Sequence, residues 1–326
     1  MIYDVLNAFP SLSMVKSVEE FSNLLISSDA IMNSSFSKFL EGAAPAIFVG
    51  LWSTGFIGGK LGLPYAEPFT FLTLRMAIVL VILVPIVAIV VRSNAGWKIV
   101  LHSMVAGVLI HSLYLGGVFY AISQGMSAGI AALIVGLQPL LTAFLAWQFL
   151  KENISKIQLI ALITALFGVA LVVYPKLAIG LDIGITNLGL FAIVVALIGI
   201  SVGSIYQKYF VHGLDIRFAT MTQYVGAIIP LALFSYLFET QEIEWSGEFI
   251  FALIWLVFVL SIGAVGMLLF LINRDNVSQT ASLFYLVPVC TAIIAYFLFG
   301  ETLVSIQFLG MVIVIVSVAY GSRKRA

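Results

Sequence analysis

Charge is scarce in this chain of 326 residues: Asp, Glu, Lys and Arg together make up 9% of it, against about 25% in a soluble domain. So few charges cannot cover a water-exposed surface. The single cysteine, Cys290, excludes a disulfide framework and any cysteine-rich metal site. The three histidines, His102, His111 and His212, fall on separate segments and make no metal constellation, so neither metal nor cofactor is expected. Fifteen Lys and Arg balance fifteen Asp and Glu, a net charge of zero that excludes a basic nucleic-acid binder. No H-E-x-x-H, G-x-S-x-G or P-loop pattern occurs, and Gly58-Gly59 and Gly116-Gly117 sit inside apolar runs where a phosphate has no place. A catalytic role is therefore not expected. What is abundant is apolar: 62% of residues are hydrophobic. The chain reads as a polytopic membrane protein.

A helix needs about 20 mainly apolar residues to cross the hydrocarbon core, because each backbone polar group must find its partner within the segment. Charge-poor runs near 43–63, 68–91, 99–122, 127–149, 157–174, 187–207, 218–238, 249–272, 278–299 and 303–321 meet that length, giving ten spans. They lack strict alternation and are too long for barrel strands, so the fold class is an all-α integral membrane protein.

Cationic loops stay on the cytoplasmic side. With the N-terminus inside, twelve of the fifteen Lys and Arg fall inside, Lys60 and Lys176 fall outside, and Arg75 lies within a span. The outward loop after span 7 carries Glu239, Glu242, Glu244 and Glu248 without a cation. Both termini are expected to be cytoplasmic, in a bacterial inner membrane. Residues 1–42 are mixed and Ser-rich, with no basic n-region before an apolar stretch, and read as a disordered or amphipathic cytoplasmic extension. Met32, eleven residues before span 1, is an alternative start. Residues 322–326 form a basic cytoplasmic tail.

The two halves repeat. An offset of 149 residues pairs Pro139 with Pro288, Thr142 with Thr291, Glu152 with Glu301 and Gln158 with Gln307, among seven identities in the twenty positions from 139 to 158. An offset of 148 pairs Ser53 with Ser201, Gly55 with Gly203 and Lys60 with Lys208. Five spans is an odd number, so a five-span repeat over 43–174 must return over 185–321 with inverted topology. Inverted repeats recur in secondary transporters, where substrate binds near the midplane between them.

The segments LWSTGFIGGKLGLPYAEPFTFLTLR (51–75), SAGIAALIVGLQPLLTAFLAWQFLKE (127–152) and VSQTASLFYLVPVCTAIIAYFLFGETL (277–303) resemble the two EamA repeats of the drug/metabolite transporter superfamily. The strongest part is the P-x-x-T-A-x-x-A core followed by a Glu at each helix end. The resemblance covers residues 43–321 and implies ten helices in two inverted five-helix repeats. It also implies a central cavity and transport of small polar or amphipathic metabolites, often outward. An amino acid or a related compound is the substrate expected. The partners are then that metabolite and the lipid bilayer; no nucleic acid is expected, and the oligomeric state is left open. An integral-membrane enzyme acting on a lipid-linked substrate, or a receptor or scaffold, is the alternative.

Ionisable residues inside a membrane face the bundle interior or a wet cavity by default. Arg75, about five residues or roughly 7 Å from the centre of span 2, can pair with a substrate carboxylate or phosphate through its bidentate fork. Alternatively it snorkels, or binds helix-end carbonyls or Glu67. His111, central in span 3 with Tyr114 one turn on, can relay a proton or simply bond between helices. All fifteen carboxylates fall in loops or at span ends, so a midplane carboxylate relay is unsupported. Pro139 and Pro288 break spans 4 and 9 at matching places and leave the carbonyls of Val135 and Phe284 without their usual donors. Broken helices at matching places point to a binding site, and packing kinks are the other reading. Gln138, Thr142, Tyr285 and Thr291 would line such a site, with Trp52, Tyr206, Gln223 and Trp255 as walls. Glu152 and Glu301 are read as structural caps on the N-termini of spans 5 and 10. Gly55-x-x-x-Gly59, Gly58-x-x-x-Gly62, Gly125-x-x-x-Gly129 and Gly199-x-x-x-Gly203 read as close-packing helix faces.

Overall fold

The computed structural model describes residues 35–91, 95–150, 155–179, 185–211, 214–264, 267 and 283–321. Two compact units divide the chain, Met1–Ala46 and Ile47–Ala326, and the second holds the packing and the cavity discussed below. Among the described residues its secondary structure is helical apart from one isolated bridge. The helices are α1 (Ser35–Gly62), α2 (Pro68–Val90), α3 (Trp97–Ser123), α4 (Ala128–Phe149), α5 (Lys156–Ile179), α6 (Asn187–Phe210), α7 (Ile216–Phe238), α8 (Gly247–Ala264), α9 (Val287–Phe299) and α10 (Ser305–Gly321). Six of these, α2, α3, α4, α6, α7 and α8, are long and apolar enough to cross a membrane. Helix α1 starts at Ser35, so the last eight residues of the expected disordered extension are helical. Hydropathy overlooks Ser35–Gly42 because Lys38 and Glu41 break the apolar run, although neither opposes a helix. The rest of that extension, and the C-terminal tail, lie outside the described residues.

The helices end for local reasons. Ser127, Thr186 and Ser246 each occupy an N-cap in extended conformation and accept from the backbone three residues on, at 3.2, 2.9 and 3.1 Å. Asp215 caps α7, its Oδ1 accepting from Arg217 N at 2.9 Å. The neighbouring Arg217 guanidinium, bonded at 2.8 Å, holds the Asp215 carboxyl below its ordinary value. Gly125 turns the chain between α3 and α4 at φ 94°, a left-handed conformation that a side chain would strain. Gly125-x-x-x-Gly129 is therefore not one helix face, contrary to the sequence reading. Only Gly129 packs, against Ala292 of α9.

Packing follows the duplication. Helices α2 and α7, α4 and α9, and α5 and α10 pair with each other, and α3 meets α7 as α8 meets α2. Helix α3 also packs on α6, where a Cβ at Gly199 or Gly203 would fall 2.9 or 2.7 Å from Leu113 or Ile110. The counterpart is α8 on α1, with Leu256 and Leu260 against Gly58 and Gly55. Exchanging each helix for the one five places on maps this set of pairs onto itself.

Two departures from regular helix also repeat. Helix α3 carries a π-helical segment at Val108–Leu113, and α8 becomes π-helical over Trp255–Ala264. Such insertions change the azimuth of a few side chains and recur at functional sites. At the second pair of breaks, α4 stops at Val135 and resumes at Gln138, and a 3₁₀ turn at Phe284–Leu286 leads into α9. Both lie where Pro139 and Pro288 withhold an amide. The Phe284 carbonyl is rescued by the amide of Val287.

One end of the bundle is tied across the repeats. Helix α2 begins with Pro68, and Glu67 does not cap it. Glu239, at the end of α7, does so instead, accepting from Phe69 N at 2.8 Å and Thr70 N at 2.6 Å. Glu67 in return accepts from the amide of Thr240 at 2.6 Å. Ala66 bridges Ile243, and Tyr65 bonds Glu248, which pushes the Tyr65 phenol up from its ordinary value. Lys60 pairs with Glu301, and Glu301 also accepts from Ala128 N at 3.1 Å. Glu301 thus caps α4, not the N-terminus of span 10 as the sequence suggested. Gln307 takes that place by accepting from Val304 N at 3.2 Å. Glu152 lies outside the described residues.

Candidate functional site

A cavity of about 550 Å³ opens where the two pairs of irregular segments converge. It is bordered by α1, α2, α3, α4, α6, α7, α8, the 3₁₀ turn before α9 and the first turn of α9. On α6 the lining comes from the C-terminal half (Ile200, Ser204, Gln207) and on α4 it reaches Thr142. The space therefore lies away from the end tied by Lys60 and Glu301.

Arg75 projects into this cavity from α2 yet is only 6% exposed. Its Nη2 and Nε donate to Ser261 Oγ at 3.0 and 3.3 Å, and Ser261 in turn donates to Leu256 O at 3.1 Å. That last bond spans five residues and belongs to the π-helical segment of α8, which is what aims Ser261 at α2. Arg75 neither snorkels nor meets Glu67, which bonds Thr240. Across the cavity, His111 projects from the π-helical segment of α3 and packs against Tyr224 of α7, ring centroids 4.7 Å apart. Tyr114 completes the α3 side.

Trp52 and Phe284 meet edge to face at 5.1 Å and form an aromatic wall, with Phe48 behind both. Gln138, at the restart of α4, donates through Nε2 to Ser204 Oγ at 3.1 Å. Pro139 and Pro288 border the cavity at the two breaks.

Of the residues marked in the sequence, Trp52, Arg75, His111, Tyr114, Gln138, Thr142, Pro139 and Pro288 come together here. Four do not reach the lining, Tyr206, Gln223, Thr291 and Trp255. The Tyr206 hydroxyl lies 2.6 Å from His102 Nδ1. Gln223 is 6% exposed. Thr291 is fully buried, donating to Ser53 O at 3.4 Å. The side chain of Tyr285 lies outside the described residues. Trp255, named as a wall, donates through Nε1 to Thr54 Oγ1 at 2.9 Å. Tyr224, Ser204, Gln207, Ser261 and Phe284 were missed. A signal existed for two of them: the 149-residue offset carries Arg75 onto Tyr224 and Ser112 onto Ser261.

The repeats differ at their hydroxyls. At the α1–α9 contact Ser53 Oγ donates to Val287 O at 3.3 Å and Thr291 donates to Ser53 O. Their counterparts at α6–α4, Ser201 and Thr142, are buried hydroxyls with no partner among the described residues. The equivalent hydroxyl pair is hydrogen-bonded at α1–α9 and not at α4–α6, which carries the Gln138–Ser204 bond instead.

A bundle of apolar helices in two pseudo-equivalent sets, enclosing a mainly apolar space with a few polar side chains where helices break, defines a multi-pass membrane protein. Residues 42–174 and 187–322 each match the EamA-like transporter family, and the chain belongs to that family. It is 25% identical over 287 residues to an uncharacterized transporter of Bacillus subtilis, covering 86% of this chain and 90% of that one. It is 28% identical over 284 residues to a protein of Salmonella typhimurium named a probable amino-acid metabolite efflux pump, covering 84% and 92%. A solved crystal structure shares the fold, with a TM-score of 0.56 at 18% identity over 85% of this chain and 94% of that one.

Proposed function

We propose that this chain is a secondary transporter of the bacterial inner membrane that exports a small organic metabolite, such as an amino acid or a related compound. It is not an enzyme on this reading. Ten spans in two inverted five-helix repeats, 43–174 and 185–321, place both termini in the cytoplasm. The substrate sits in the cavity between the repeats and is released by alternating access. Arg75, His111, Tyr114, Gln138, Thr142 and Trp52 contact it.

The observation that carries this reading is that both repeats deliver their irregular segments to one cavity, with a buried cation inside it. Exposing that cavity to alternate sides means loosening the ties at Lys60–Glu301 and Glu239–α2 while the opposite end closes. The efflux-pump name of the Salmonella relative supports the amino-acid-related substrate class.

The test is flux. Purified full-length protein in proteoliposomes should exchange a labelled metabolite across the membrane faster than empty vesicles, and Trp52→Ala should slow that exchange. A folded protein that moves no member of a broad panel of amino acids and their derivatives refutes the proposal.

A further inference from the structure

We propose that the cavity selects organic monoanions, a carboxylate on an apolar or aromatic body, and discriminates against the same body bearing a free ammonium. This rests on the transporter reading only in taking the cavity as the substrate site.

The first observation is the incomplete partnering of Arg75. A guanidinium has five N–H donors. Here Nε and Nη2 spend one each on Ser261, and the remaining three have no protein acceptor among the described residues. A charge this buried is ordinarily paired with a carboxylate. The titratable groups among the described residues that share the cavity with it are the phenols of Tyr114 and Tyr224 and the imidazole of His111, none of them a carboxylate. The free donors belong to a side chain that lines the cavity, so the missing acceptor is supplied by the contents of the cavity. The planar fork fits a carboxylate in bidentate fashion.

The second observation concerns what the lining does not offer. It contains no Asp or Glu among the described residues. Its other basic group, His111, adds a positive charge when protonated and none when neutral. Neither of these states welcomes a second cation. An α-ammonium lies one carbon from its carboxylate, so docking the carboxylate on Arg75 brings the ammonium close to the guanidinium in a low-dielectric space. A hydrogen-bonding amide at that position carries no such penalty, and Gln138, Gln207 and Tyr224 can receive it.

The third observation is the polarity of the site. The position equivalent to Arg75 in the second repeat is Tyr224, so the duplication yields one cationic corner and not two. Trp52 and Phe284 form an aromatic wall of the same cavity, suited to an apolar body.

The experiment uses matched probes against the purified full chain, read as ligand-dependent thermal stabilisation at fixed ionic strength. One set is 3-phenylpropionate, N-acetylphenylalanine, phenylalanine and phenethylamine; the other is 4-methylpentanoate, N-acetylleucine, leucine and isoamylamine. The expected order in at least one set is monoanions tightest, the zwitterion at least tenfold weaker and the amine without effect. Arg75→Gln should erase the preference for the monoanion. Ser261→Ala, which keeps the charge and removes its support, should weaken the monoanion severalfold while preserving the order, and it serves if Arg75→Gln does not fold. Zwitterions binding as tightly as the monoanions, amines binding best, or no monoanion binding at all would each overturn the proposal. In the last case flux of some other metabolite in proteoliposomes would still uphold the transporter reading.

Discussion

The crossing of α3 and α7 is set by glycine. A Cβ built on Gly226 would lie 2.3 Å from the carbonyl oxygen of Met104, and one on Gly107 would lie 2.0 Å from that of Gln223. Both obstacles are backbone, so no rotamer change relieves them. Carbon and oxygen settle at about 3.3–3.6 Å, so Gly226→Ala drives the helices apart by about 1 Å. Three hydrogen bonds cross this interface: Ser103 Oγ to Ala219 O at 3.2 Å, Thr222 Oγ1 to Ser103 Oγ at 2.7 Å, and Ser112 Oγ to Ala227 O at 2.8 Å. A shift of that size stretches all of them beyond useful length. Each contributes about 0.6 kcal/mol by the average between membrane helices to about 1.5 kcal/mol by the soluble-protein range. Overpacking adds about 1–3 kcal/mol, and the better helix propensity of alanine returns about 1 kcal/mol. The net is a loss of roughly 2–6.5 kcal/mol, or about 3–9 °C in melting temperature for a chain of this size. Gly50→Ala is the control, because a Cβ there meets nothing within 4 Å; it should be neutral or slightly stabilising. The assay is thermal unfolding of the purified protein in detergent, with SDS unfolding for free energy. If Gly226→Ala melts within about 2 °C of the wild type, the steric reasoning is wrong.

Two further outcomes follow from geometry. Ser53→Ala and Thr291→Val remove donors that satisfy buried carbonyls at the α1–α9 contact and should each cost about 1 kcal/mol. The equivalent Ser201→Ala and Thr142→Val remove hydroxyls without partners, so the SDS unfolding energy should stay level or rise; equal losses in both pairs would refute the asymmetry. Asp215 has its folded-state pKa depressed by Arg217, so its contribution is present above the unfolded value near 3.8 and fades as pH falls through the lower folded value. Asp215→Asn keeps the cap but not the ion pair. Its melting point should trail the wild type slightly at neutral pH, by about 0.5 kcal/mol for so exposed a pair, and converge with it below pH 3. A gap that persists in acid would assign the effect to the cap alone.

The spans were legible because twenty apolar residues in a row admit few interpretations. Arg75, His111 and the paired prolines stood out for the same reason: each is an exception within such a run. Azimuth was harder. Helices apolar on nearly every side give no sign of which face looks inward, so Tyr206 and Thr291 were offered as lining and turned out to face neighbouring helices. The π-helical segments explain more of the shortfall. They alter register by one residue without changing hydropathy, which is how Ser261 reaches Arg75 unannounced. In α7 a single step of register separates Gln223 from Tyr224, and the offsets of 148 and 149 favour one each. Glu301 was misassigned because the helix it caps lies 173 positions away in the chain, beyond the reach of any local capping pattern.

The cross-tied end of the bundle alters how its acidity should be counted. Formal charge places Glu67, Glu239, Glu242, Glu244, Glu248 and Glu301 there, an apparent barrier to a departing anion. Yet Glu239 is spent on the positive end of α2, Glu301 on Lys60 and the start of α4, Glu67 on the Thr240 amide and Glu248 on a phenol. Only Glu242 and Glu244 present exposed carboxylates without a hydrogen-bond donor among the described residues. While the ties hold, Glu301 is compensated by Lys60, whereas Glu67, Glu239 and Glu248 keep their charge and are only stabilised by the neutral donors and the helix end they engage. If this end opens in the proposed transport cycle, those carboxylates and Lys60 turn to solvent together, so the charge this end presents changes with conformation.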